Sequence, residues 1–396
     1  MRNRPIYLGL ILLLILGLVA LKPLLETDKT NPVSTNTSAS ENQKGYTPAN
    51  LIYSNTDPSY MVYTSRNIDI FLIAAGLYTD FNNPYLLPYV EERPIYKNAK
   101  EYFSPYKNHA FIKGFAKYMN GTDVNSSYLA FLLNYSDLPQ LNKIYDNPQK
   151  YLSDEKEAAE FLNSLKAFYT DTKAETFFDN NSSSYQALNA YITENIKQSS
   201  MFKLINEVES YAGNKNTYFT GKNVSYCTVL SFYRTNGSFA SLDNEDNLTL
   251  ASIQFPYKGS RKTSEFSMNN IIKTSVHEYL HNYMNTPVQN NNALITDLTK
   301  GKDKTQYTSS MYAAKSFPWN RVTDENFVRA VEARLYKKEF GEDRAVMDII
   351  DPETKAGFKT VRQIYVKLEE YEKDRNKYPA IDDFMPVLIK EMFKTK

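Results

Sequence analysis

The sequence predicts an α+β fold, mainly helical with a small antiparallel sheet. Three observations lead there. From residue 67 to about 215 the apolar side chains recur mostly at helical spacing. Runs 224–233 and 248–255, rich in β-branched and aromatic residues, then interrupt that pattern around an Asn236-Gly237 turn signal, and Pro256 ends the second run. From 267 onward helical spacing returns. Helices, then strands, then helices is a segregated order, unlike the strict alternation of a parallel α/β fold.

The elements follow in chain order. Arg2 and Arg4 precede an almost wholly apolar run, 6–21, which Lys22 ends. A basic start followed by such a core reads as a signal peptide or signal-anchor over 1–26. The run is short for a full span, which takes roughly 20 residues, and no cysteine follows it to carry a lipid. Arginines on its N-terminal side place that end inside and the remainder outside. The protein is therefore expected to be exported, and either secreted or held at the cell surface through this segment. Residues 27–55, rich in Ser, Thr, Asn and Pro, read as a flexible tether. No linker is evident beyond, so 56–396 is expected to form one unit with a helical lobe, 56–215, and a second lobe, 216–396. Helices are expected at 68–78, 94–106, 110–119, 155–169, 185–196 and 202–211, and again at 267–285, 322–340, 356–376 and 381–394.

Composition narrows the function. In 396 residues, 46 Lys+Arg stand against 45 Asp+Glu, a net charge of +1. That leaves no basic footprint and argues against nucleic acid as a partner. A hydrophobic content of 42% is ample for a core. Tyrosine is abundant, 32 residues, as core and interface material with a hydroxyl to spare. Cys227 is the one cysteine, which excludes an internal disulfide and a cysteine-based zinc site. It lies in a strand pattern and reads as a small buried hydrophobe. The histidines are three: His109, His277 and His281.

Two of them are spaced for a metal. Residues 277–281 read HEYLH. On a helix, positions i and i+4 share a face, so His277 and His281 can hold one ion. Glu278, beside the first of them, can reach a metal-activated water without binding the ion. Ile271, Ile272, Val276, Leu280 and Tyr283 supply an apolar stripe, and Asn269 or Asn270 is expected to cap the helix. A catalytic zinc site needs a third protein ligand. Residues 323–335 read TDENFVRAVEARL, a helix expected to be capped by Thr323 or Asp324, with Val328, Val331 and Leu335 buried. Glu325 and Glu332 share its other face with Arg329, and either is a candidate. The competing assignment for each is a salt bridge to Arg329 or Arg334.

The motif order resembles the DUF4932 family, exported proteins regarded as metalloproteases of the gluzincin type. A segment close to Y-x-x-x-Y-F-x-x-x-K-x-H precedes the metal helix there, and residues 100–109 here read KEYFSPYKNH. The family's HEFxHxxxNP is similar to HEYLHNYMNTP here, with Asn285 matching and Thr286 inserted before Pro287. The helix of type E-x-x-x-R-A-V-x-x-R is matched by ENFVRAVEAR, residues 325–334. The resemblance implies a zincin-like metallopeptidase core, Zn2+ as cofactor, and Glu325 rather than Glu332 as third ligand. Glu325 is expected in the first turn, where the helix dipole favours a carboxylate, with Arg329 orienting it. Glu332 is then expected to be dispensable. The resemblance also raises His109 as a catalytic candidate, a donor to a developing oxyanion, a part that Tyr307 or Tyr312 can equally fill.

The expected function is zinc-dependent hydrolysis of peptide bonds, with Glu278 as general base and strand 248–255 as the edge on which an extended peptide or protein substrate aligns. Two other readings stay open on sequence alone: an inactive cell-surface binding protein on the same fold, and a zinc amidase acting on non-protein amides.

Overall fold

A strand that leaves a sheet and returns after a long helical excursion can pair in parallel, and that is how this sheet is built. The computed structural model describes residues 51–53, 60–82, 93–196, 199, 202–213, 219, 221–234, 237–257, 265–309 and 317–394. All belong to one unit, Gly45–Lys396. The expectations for 1–26 and for most of 27–55 fall outside the described residues.

Strands β1 (Leu51–Tyr53), β2 (Tyr60–Thr64), β5 (Asn223–Leu230), β6 (Ser238–Asn244) and β7 (Asn247–Gln254) form one sheet in the order β1-β2-β5-β7-β6. The small β3 (Met119–Asn120) and β4 (Asp123–Val124) pair with each other elsewhere. The large sheet is mixed, which corrects the antiparallel expectation. β2 pairs with β5, and β5 with β7, in parallel. β1–β2 and β6–β7 are antiparallel. After β5 the chain goes one place further out to lay down β6, then turns at Glu245-Asp246 and fills the gap with β7. Strand β6 (SFASLDN) is not expected from the sequence, because its small, polar residues carry no strand signal, and the tight turn into β7 lies at 245–246, while the expected turn signal at 236–237 precedes the strand. β7 is buried along almost its whole length, as an interior strand must be.

The expected lobes do not separate cleanly. β1 draws residues 51–53 out of the tether, and β2 belongs to the sheet although it lies within the expected helical lobe. The helices otherwise fall close to expectation. α1 (Arg66–Tyr78) is buried from Arg66 to Leu77. α2 (Pro94–Phe103), α3 (Ala110–Lys113), α4 (Ser126–Leu132), α5 (Glu155–Asp171), α6 (Ala174–Asn180), α7 (Ser182–Asn195) and α8 (Phe202–Ala212) follow. Phe71, Phe103, Phe111, Phe115, Tyr118, Tyr128, Phe161 and Phe168 pack edge-to-face or tilted in a continuous aromatic cluster among the first of these.

Two long helices make the other half of the core: α9 (Met268–Asn290) and, after α10 (Asn292–Leu298), α11 (Trp319–Phe340). α9 lies on β6 and β7, and α11 packs on α9. α11 is buried on all sides from Val322 to Tyr336. A helix so placed would be apolar throughout unless its charges had partners, yet it carries Asp324, Glu325, Arg329, Glu332 and Arg334 inside. Further helices, Val361–Lys373 and Ile381–Met392 among them, close the core. Among the described residues no helix is long and apolar enough to cross a membrane.

Candidate metal centre

The site begins at the start of α9. Ser267, rather than Asn269 or Asn270, caps the helix and accepts the Asn270 amide. Ile271, Ile272, Val276 and Leu280 are fully buried and seat α9 on the sheet. Pro287 does not end the helix, which runs on to Asn290. One face therefore presents His277 and His281 on successive turns, ring centroids 5.0 Å apart and planes at 85°.

α11 supplies the acids. Glu325 Oε2 lies 3.9 Å from His277 Nε2, and Glu325 Oε1 lies 4.0 Å from His281 Nε2. Ligand atoms of these three residues all fall within 4.8 Å of one another. The opposite ring nitrogens are occupied. His277 Nδ1 donates to Glu332 Oε2 at 3.1 Å, and His281 Nδ1 donates to Asp324 Oδ2 at 2.6 Å. An imidazole that gives its proton at Nδ1 keeps the Nε2 lone pair free. Both lone pairs thus converge on the Glu325 carboxylate, each ring fixed by a carboxylate behind it as in histidine metal ligands.

The charges agree with that arrangement. Glu325 is 2% exposed. Burial alone would push its pKa up, but Arg329, Arg321 and the two histidines hold it far below the carboxylate range. Arg329 Nη1 donates to Oε2 at 2.5 Å, as the sequence suggested, and Arg321 Nη2 reaches Oε1 at 3.0 Å. Arg329 is held in turn by Glu353 at 2.7 Å. Burial works against a charged His277, yet the bond to Glu332 outweighs it and raises the pKa. Glu332 is likewise lowered: burial opposes this, and the His277 bond and Lys273 prevail. Asp324 Oδ1 and Glu332 Oε1 are buried and make no hydrogen bond among the described residues. The donor set of two imidazole nitrogens and one anionic carboxylate fits a divalent ion of the zinc type.

Glu278 is nearly buried at 7% exposure. Its carboxylate lies against Gly237, where an added Cβ would come within 2.1 Å of Oε1 and 3.1 Å of the Thr274 methyl. Phe239 stacks on His281 at 5.1 Å, and Arg321 lies over the Phe239 ring at 5.8 Å. The start of β6 is thereby a wall of the site.

Several expectations change. α11 starts at Trp319 after Pro318, so Thr323 and Asp324 are not its caps. The Thr323 hydroxyl bonds back to the Trp319 carbonyl instead. Glu325 is consequently past the first turn, and two arginines rather than the helix dipole stabilise it. Glu332 forms no salt bridge to Arg329 or Arg334 but orients His277. His109 stands apart from the cluster. It caps α3, its Nδ1 accepts the Phe111 amide, its Nε2 pairs with Asp171 at 3.1 Å, and its ring packs on Phe168. Both nitrogens are used, and none of these partners is among the metal residues, so the structure does not bring His109 together with them. Tyr307 packs against Trp319 and Phe393, and Tyr312 lies outside the described residues. Cys227 is fully buried, its thiol pushed up to about 12 by burial. Strand β7 cannot serve as a substrate edge, because β5 and β6 occupy both its sides. Arg321 and Phe239 carry no signal in the sequence, Asp324 reads there only as a helix cap and Gly237 only as part of a turn.

The family model described as "Domain of unknown function (DUF4932)" matches residues 61–391. No curated protein and no solved structure matches the chain.

Proposed function

The chain belongs to the DUF4932 family, and from the arrangement of its paired histidines and buried acids we propose that it is a zinc-dependent peptidase with a zincin-like core of the gluzincin type. The observation that carries this is the convergence of His277 Nε2, His281 Nε2 and Glu325 within 4.8 Å, with each Nδ1 tied to a buried carboxylate. Zinc held by those three side chains would polarise a substrate carbonyl and bring the pKa of a water towards about 7.

The remaining work falls to the chain. Glu278 takes the proton of the attacking water and returns it to the leaving amine. Arg321 and Arg329 keep Glu325 ionised and in place. Asp324 and Glu332 hold both histidines in the tautomer that can bind a metal. An extended peptide pairs with the outer edge of β6, which lies beside His281 and Glu278, and so takes the place first given to 248–255. The apolar 6–21 segment is the proposed export and anchoring element.

The test is hydrolysis of a mixed peptide pool by the zinc-loaded full chain. Activity is expected, lost on chelation, and reduced at least 100-fold by Glu278→Gln with metal retained. Equal rates for parent and Glu278→Gln would remove the proposed chemistry.

A further inference from the structure

The edge of β6 is open for only a short stretch. In an antiparallel pair, alternate residues turn their peptide groups towards the partner and away from it. The turn at Glu245-Asp246 and the register Asn244↔Asn247, Leu242↔Thr249 and Ala240↔Ala251 leave Phe239, Ser241 and Asp243 facing outward. Two of these three positions are already taken by the segment after α4. The Ser241 amide donates to the Tyr151 hydroxyl at 2.7 Å, and that hydroxyl donates to the Ser241 carbonyl at 2.8 Å. Lys150 Nζ donates to Ser241 Oγ at 2.6 Å. The Asp146 amide donates to the Asp243 carbonyl at 2.8 Å, and the Asp146 carboxylate accepts the Glu245 amide at 3.0 Å. Tyr151 and Asp146 thus stand where a further strand would continue. The Phe239 amide and carbonyl have no hydrogen-bond partner among the described residues, and Phe239 is the residue stacked on His281.

We propose that the site takes its peptide by one end: a substrate strand pairs with the backbone of Phe239 and has to stop before Ser241, so hydrolysis falls close to a chain terminus. At about 3.3 Å per residue, the distance from Phe239 to Ser241 admits about two residues on that flank. The specificity is that of an exopeptidase releasing short fragments. This rests on the peptidase reading and adds the substrate class.

Two measurements test it. In the first, the zinc-loaded full chain digests a ten-residue peptide and the same peptide lengthened by five residues at either end, with products located by mass spectrometry. The cut is expected within two residues of one terminus and should follow that terminus when it is extended. Tyr151→Ala, which removes the ring as well as the hydroxyl from the Ser241 position, should move it inward. Cutting at one fixed internal sequence whatever the position of the ends would overturn the proposal. In the second, hydrogen exchange at the Phe239 amide is followed in Glu278→Gln while a tripeptide is added. Slowed exchange at Phe239, with Ser241 unchanged, supports pairing at the open position even if the parent cuts no peptide, in which case the peptidase reading alone falls. No change at Phe239 with any peptide overturns the inference.

Discussion

Glu278 owes its position to a residue that has no side chain. Its carboxylate makes no hydrogen bond among the described residues and fills the space where a Gly237 Cβ would stand. Gly237→Ala has one cheap way out: the free end of Glu278 swings aside. That costs little stability, because a flexible side chain yields and no backbone does, but it removes the proposed base from its place. Gly237→Ala is therefore expected to bind zinc and unfold like the parent while kcat falls more than tenfold. Parental kcat would show that the glycine is only part of a turn. A turn is all that the sequence could indicate there, since the contact that matters is made to a distant helix.

At the scale of the element, α11 shows which parts of the site are legible in a sequence. His277, Glu278 and His281 are encoded in one helix by the i, i+4 rule, so spacing alone found them. The acids lie on a second helix whose phase against the first is set by packing. Spacing therefore leaves Glu325 and Glu332 open, the family pattern favours Glu325, and Asp324 reads only as a helix cap. The helix starts at Trp319, so Glu325 lies beyond the reach of its N-terminal dipole. Pro318 was the missed signal, since a proline is well suited to the residues that open a helix. The finding changes what Glu332 is expected to do. As the partner of His277 Nδ1, it sets ring orientation and basicity. Glu332→Ala should weaken zinc by about 10- to 100-fold, the usual effect of losing such a partner, measured by competition with a chromogenic chelator. Unchanged affinity would return Glu332 to a merely structural role.

The whole molecule depends on contacts between segments far apart in sequence. Helix content was legible because local periodicity encodes it. The mixed sheet was not, because β2 and β5 meet across the whole helical region and β6 has no strand composition. Asp69 on α1 is one such junction. Its carboxylate accepts from Ser231 at 2.5 Å, just after β5, and from Tyr185 on α7 at 2.7 Å. Burial pushes its pKa up to about 7, against the pull of those two bonds. The folded state then keeps this proton where the unfolded chain has lost it. The contribution to stability is complete below the unfolded value of 3.8 and is lost as pH rises through about 7. Denaturant titrations should show stability from this group declining between pH 4 and 7, and Asp69→Asn should flatten the profile in that window. An identical profile in the variant would contradict the assignment.

The central claim is that His277, His281 and Glu325 form one metal site, and metal content tests it most directly. After zinc loading and exhaustive dialysis, elemental analysis of the full chain should find a single zinc per molecule, absent from His281→Ala and from Glu325→Ala. A parent that retains no zinc, or variants that both retain it, would contradict the account.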